Sequence, residues 1–148
     1  MIQSPETFRT DPRLLAKSVA VAAWALCDVR LMDDARFPWL VLIPRVASAT
    51  EIDDLDVSER ALVIEEMVRA GDIVRALGLD LTRPVDKVNT AALGNVTAQL
   101  HIHVVGRRRD DPLWPDPIWG RAGAAPRAAG ETERLAAIGR SSPGVPGP

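Results

Sequence analysis

The chain has 148 residues, 47% of them hydrophobic and 26% charged, with a formal net charge of −2 at neutral pH. That length and apolar fraction suit one domain with a real core, and the near-neutral balance offers no basic footprint for nucleic acid. The lone cysteine, Cys27, excludes an internal disulfide and points to a reducing, cytoplasmic setting.

The opening MIQSPETFRTDPR is polar and holds two prolines, so it does not read as a signal peptide. It reads as an extended arm. Asp11-Pro12 is a cap followed by a first-turn proline, which predicts a short helix to about Ala16. Residues 18–24 mix alanine with valine and fit helix or strand equally. The apolar run over residues 19–26 is too short to cross a bilayer, and no membrane role is expected.

Residues 26–32 alternate as a strand, with Val29 and Leu31 on one face and Asp28 and Arg30 on the other. A turn at residues 33–36 leads into FPWLVLIP, an apolar run bounded by prolines, as in a strand buried on both faces. The two are expected to pair as a hairpin. Residues 51–55 connect to a long helix. Asp56 is its N-cap and Glu59 completes a capping box, with Ser58 as a competing cap. Leu62, Met67, Ile73, Val74 and Leu77, widened by Ile64 and Ala70, are expected to form its buried face. Glu65, Glu66, Arg69, Asp72 and Arg75 are expected to face water, and Gly78 is the expected C′ stop.

Residues 86–93 form a further strand candidate, Gly94-Asn95 a tight turn, and residues 97–107 the next strand. Arg107-Arg108-Arg109 is answered at once by Asp110-Asp111 and reads as a solvated loop. Prolines at 112, 115 and 117 make residues 110–120 irregular. Trp114, Ile118 and Trp119 within them must pack on the core or on a partner subunit. Residues 1–120 are thus the expected domain. Residues 121–148, rich in Ala, Gly and Pro, are the expected disordered tail, with at most a stub of helix at 131–138. The order of elements predicts an α+β fold: an antiparallel sheet of about five strands with one long helix on one face.

Both histidines of the chain lie in AQLHIHVVG. On a strand, Gln99, His101 and His103 share one face, and Leu100, Ile102 and Val104 the other. The aliphatic face suits a helix. The polar face must meet water, a partner or a ligand. Three roles fit it: an idle exposed pair, a metal-binding H-x-H pair lacking an evident third ligand, and a nucleophilic or phosphate-binding histidine.

QLHIHVV resembles the signature of the histidine triad (HIT) family, with glutamine in the first of three histidine places. The resemblance extends to LMDDARFPWLVLIPR, EIDDLDVSER, VNTAALGN and Trp114-Pro115, covering about residues 31–120 in the right order. It implies an enzyme acting at the α-phosphate of a nucleotide, by hydrolysis or nucleotidyl transfer, through a covalent nucleotidyl-histidine. His101 takes the nucleophile's place and His103 that of its phosphate-contacting companion. Gln99 takes the first place, where an amide can hydrogen-bond but cannot shuttle a proton. Asn89, Gly94 and Asn95 match phosphate-side positions. Met32 and Asp33 lie near the expected ribose and base pocket. No cofactor is implied beyond Mg²⁺ arriving with the nucleotide.

The resemblance also implies a homodimer, for which Trp114–Trp119 is a candidate interface element. Family histidines often placed near Trp39 and just after Arg45 are missing here, where Val46 and Ala47 follow. Leaving-group protonation then lacks its usual assistants. A nucleotide-binding module without catalysis is the alternative reading.

Overall fold

The computed structural model describes residues 7–142, so the first six residues and residues 143–148 of the SSPGVPGP ending lie outside it. Five strands form one antiparallel sheet: β1 (Ser18–Ala23), β2 (Cys27–Met32), β3 (Trp39–Pro44), β4 (Lys87–Ala91) and β5 (Ile102–Arg107). Their spatial order is β1-β2-β3-β5-β4. Among the described residues three α-helices accompany them, α1 (Pro12–Ala16), α2 (Val57–Asp80) and α3 (Glu131–Ser141), with a short 3₁₀ helix at Ile52–Asp54. This is the expected α+β architecture. No helix among the described residues is long and apolar enough to cross a membrane.

The main core lies between α2, α3 and one sheet face. It contains Val29, Leu31, Leu40, Leu42, Ile102 and Val104 from the strands and Ile73, Val74 and Leu77 from α2. The second sheet face is covered too. Phe8, Leu14 and Met32 pack there on Val41 and Ile43, and Leu113, Ile118 and Trp119 pack on Phe37 and Val105. That is why β3 is apolar at consecutive positions. It also answers where the large side chains of the irregular segment go: onto their own domain.

The α2 N-terminus forms as its sequence requires. Asp56 accepts the Glu59 N–H and Glu59 the Asp56 N–H, both at 2.8 Å. Ser58 does not cap the helix; its hydroxyl donates to Asp56 Oδ1. The buried face differs from expectation. Leu62 and Ile64 are exposed, while Val63 and Glu66 are buried. Glu66 is drawn inward because its carboxylate accepts the Leu26 and Cys27 N–H groups at 2.8 and 2.9 Å. Charge-assisted bonds of that kind offset the cost of burying a carboxylate.

Gly78 does not end α2, which runs to Asp80. A Cβ at Gly78 would sit 2.8 Å from the Arg83 carbonyl and from Val85 Cγ2. Glycine is there for close approach, and Thr82 takes the left-handed conformation instead, at φ 56°.

Residues 121–142 are not a loose tail. Ala125 O accepts the Ala35 N–H at 2.7 Å. Arg127 is buried, with its guanidinium on the Phe37 carbonyl at 2.7 Å and its N–H on Asp33 Oδ1 at 2.9 Å. Helix α3 then packs on β1, burying Leu135 and Ala136, and its Arg134 pairs with Asp80 of α2. Gly139 lets the helix approach; a Cβ there would meet Val21 at 2.8 Å. Residues 18–23, undecided from sequence, form the strand on which α3 lies: Val21 is buried under Gly139, Val19 and Ala22 pack on the same core, and Ala20 and Ala23 stay exposed.

Candidate active site

Strand β5 begins at Ile102, later than the expected residue 97. The β4–β5 connection runs from residue 92 to 101 rather than turning tightly at Gly94-Asn95, although Gly94 does adopt a positive φ of 71°. Leu100 N–H bonds instead to the Ala49 carbonyl. Gln99 and His101 therefore lie in this connection, ahead of the ladder, and the two-residue alternation does not reach Gln99. Its amide turns to the N-terminal segment. Oε1 accepts the Asp11 N–H and Nε2 donates to the Arg9 carbonyl, each at 2.8 Å.

His101 and His103 come together. Their rings meet edge to face with centroids 5.0 Å apart, and both are buried. His101 Nδ1 lies 2.6 Å from the Gln99 carbonyl oxygen. A carbonyl only accepts, so His101 carries its proton on Nδ1, and a neutral ring then leaves Nε2 bare. His101 also borders a cavity of about 440 Å³, shared with Glu51, Asp53, Arg60, Leu93 and Gly94. Asn95 is exposed on the same connection. Another cavity, of about 310 Å³, lies by Phe37, Arg83 and Gly106 and touches neither histidine.

His103 is enclosed by aromatic rings. Trp39 Nε1 donates to its Nδ1 at 3.1 Å. Trp119 approaches from another side, ring centroids 5.8 Å apart, and its indole N–H is buried with no hydrogen-bond partner among the described residues. Burial first, and then the charge of His101, push the His103 imidazolium down to a pKa of about 4. His103 is therefore neutral at physiological pH.

The other expected residues are more scattered. Asn89 lies across from Val105 on the sheet face that carries His103, but its Oδ1 accepts from Arg107 at 3.0 Å. Arg107 is fully buried, in a bidentate pair with Asp111 at 2.8 and 3.0 Å. The triple-arginine run is thus only partly a solvated loop. Met32 packs beside Leu14, and Asp33 holds Arg127, so both meet chain segments rather than the histidines. Reading the sequence placed Trp39 in a strand buried on both faces and missed its bond to His103. No local pattern pairs residues 64 positions apart. Among the described residues, no three His, Cys, Asp or Glu side chains gather as a metal site would need.

A family model described as the HIT domain matches residues 14–110, well over half of the chain. The chain belongs to the histidine triad family. Among solved structures it is similar to a histidine triad protein from Bradyrhizobium japonicum, at 32% identity, with 91% of this chain and 97% of that chain covered and a TM-score of 0.83. A histidine triad protein from Sinorhizobium meliloti shares 36% identity over 90% of this chain and 95% of its own, at a TM-score of 0.80. One from Marinobacter aquaeolei shares 34%, with 90% and 93% covered and a TM-score of 0.76. A comparison with curated proteins gives no match. Trp119 and Arg127 lie beyond the span matched by the HIT model, yet in this histidine triad protein Trp119 closes a side of the His103 pocket and Arg127 holds the turn at residues 33–37.

Proposed function

We propose that this histidine triad protein is a nucleotide hydrolase or nucleotidyl transferase that works through a covalent nucleotidyl-histidine on His101. The observation that carries the reading is the 2.6 Å contact between His101 Nδ1 and the Gln99 carbonyl. It aims a bare Nε2 away from the backbone, and a neutral imidazole nitrogen is a competent nucleophile. In the first step, Nε2 bonds to the α-phosphorus, and the bond from phosphorus to the leaving group breaks with its electron pair going to that group. The ring becomes cationic, and its Nδ1–H on the Gln99 carbonyl stabilises that charge. In the second step, the oxygen of water or of another acceptor attacks phosphorus. The P–N bond breaks, its electron pair returns to Nε2, and the acceptor's proton goes to solvent. Gly94 in the cavity wall and His103 beside the nucleophile supply hydrogen-bond donors for phosphate oxygens.

The test is denaturing quench at alkaline pH, where the P–N bond survives, of the full-length protein with a dinucleoside polyphosphate or adenosine phosphoramidate radiolabelled in its nucleotidyl group. Label retained on wild type and absent from His101→Ala supports the reading. Nucleotide binding by calorimetry without turnover or label would instead favour the non-catalytic module.

We also propose a homodimer. Val57, Ile64, Val68 and Leu79 are exposed on α2 and recur on one helical stripe facing away from the core, and β4 is an edge strand of the sheet among the described residues. Sedimentation equilibrium checks it, and a monomer at high protein concentration would remove it.

A further inference from the structure

The hydrogen bond from Trp39 to His103 settles more than packing. An indole N–H donates and has no acceptor. His103 Nδ1, 3.1 Å away, must therefore offer a lone pair, and a neutral ring then holds its proton on Nε2. Converting His103 to imidazolium would place an N–H on Nδ1 directly opposite the indole N–H. The bond and the burial of the ring both oppose the cation.

We propose that Trp39 is a positioning residue: its indole N–H fixes His103 as the neutral Nε2–H tautomer, so that this histidine serves the site as a hydrogen-bond donor and not as an acid. The two histidines are then held in opposite tautomers by two different partners. His101 is held by a backbone carbonyl and has Nε2 bare. His103 is held by an indole and has Nε2 protonated. One offers an electron pair and the other a proton in a hydrogen bond, which is the pair of roles that attack on a phosphate ester needs. The inference concerns hydrogen bonds within the chain and stands apart from the nucleotide reading.

The surroundings of His103 support it. Its cross-strand neighbours are Val41 on β3 and Ala91 on β4, and Trp119 closes another side. None of these is charged. Charged groups from the packed elements are committed elsewhere. On β2, Arg30 bonds to Ser18 and Asp28 pairs with Arg45. Farther along β5, Arg107 pairs with Asp111. On the N-terminal segment, the Asp11 carboxylate accepts the Arg13 N–H, the Arg13 guanidinium bonds to the Val96 carbonyl, and the Arg9 carbonyl takes the Gln99 amide. His101 remains as the titratable neighbour, and its positive charge also disfavours a second cation.

Long-range ¹H–¹⁵N correlation of the full-length protein tests this directly. With only two histidines in the chain, His101→Asn assigns the spectrum. At neutral pH the wild type is expected to show a bare Nδ1 and a protonated Nε2 on His103. Site-specific replacement of the Trp39 indole by its benzothiophene analogue keeps the bicyclic shape and removes only the N–H. Trp39→Phe is the simpler companion. In either protein His103 is expected to mix tautomers, and its titration midpoint to rise by about one pH unit. A wild-type His103 protonated on Nδ1 would overturn the proposal, whether or not the variants fold. So would a benzothiophene protein with unchanged tautomer and midpoint.

Discussion

Gln99 and Asp11, 88 positions apart in the chain, meet at a 2.8 Å hydrogen bond between the Gln99 side-chain oxygen and the Asp11 backbone N–H. The nitrogen of the same amide donates to the Arg9 carbonyl. One side chain thus behaves like a short length of neighbouring strand, satisfying a donor and an acceptor of the N-terminal segment. That segment lies on the sheet face carrying Trp39, where Phe8 and Leu14 cover Val41 and Ile43. The Gln99 amide is therefore tied to chain architecture.

Gln99→Leu keeps the bulk and removes both bonds. Two net hydrogen bonds at about 0.5–1.5 kcal/mol each set a loss of roughly 1–3 kcal/mol in urea unfolding. The Asp11 amide should exchange with deuterium much faster than in wild type. Unchanged exchange at Asp11 would show that the segment is held by its apolar contacts alone.

His103 makes stability depend on pH. Its folded pKa, about 4, lies below the usual 6.5. The unfolded chain therefore binds its proton first as pH falls, and stability is lost between about pH 6.5 and pH 4, with no further loss from this residue below that window. A depression of that size corresponds to about 2–3 kcal/mol by pH 4.5. Urea midpoints of wild type and His103→Leu, compared at pH 7 and pH 4.5, check it. The wild type should lose more stability than the variant on acidification; equal losses would place the titrating group elsewhere.

A stop codon after Gly120 removes Arg127, its bonds to Asp33 and Phe37, and the whole of α3. Burial of Leu135 alone is worth about 1.5–3 kcal/mol. Removing the helix also exposes Val21 and Ile73, against which Gly139 packs. The truncated protein should lose roughly 3 kcal/mol or more and bind a hydrophobic dye at temperatures where the full chain does not. An unchanged unfolding midpoint would show that residues 121–142 contribute nothing to the fold.

Elements whose cause is local were legible. Asp56 and Glu59 close their box within one turn, Asp11 and Pro12 open α1, and the alternation of Val29 and Leu31 against Asp28 and Arg30 places β2 on the sheet. The histidine pair was legible as well, because the H-x-H spacing is carried in one short stretch, and the two rings do meet. What failed depended on distant partners. Glu66 reads as a solvent-facing glutamate until two backbone N–H groups of the β2 hairpin are brought to its carboxylate. Arg127 reads as part of a loose tail until the turn at residues 33–37 is laid beside it.

By itself the sequence determined the order of elements from β2 to β5, the α+β class, the family resemblance and the presence of two neighbouring imidazoles. Those follow from interactions within a few residues and from motifs carried in one stretch. Only the tertiary structure decided what each polar group does. It committed Gln99 to the N-terminal segment, Asn89 to Arg107 and Asp33 to Arg127, and it set an indole against His103. The physical reason is that a hydrogen bond chooses its partner by distance and direction in space. Sheet pairing brings together donors and acceptors that stand tens of residues apart in the chain.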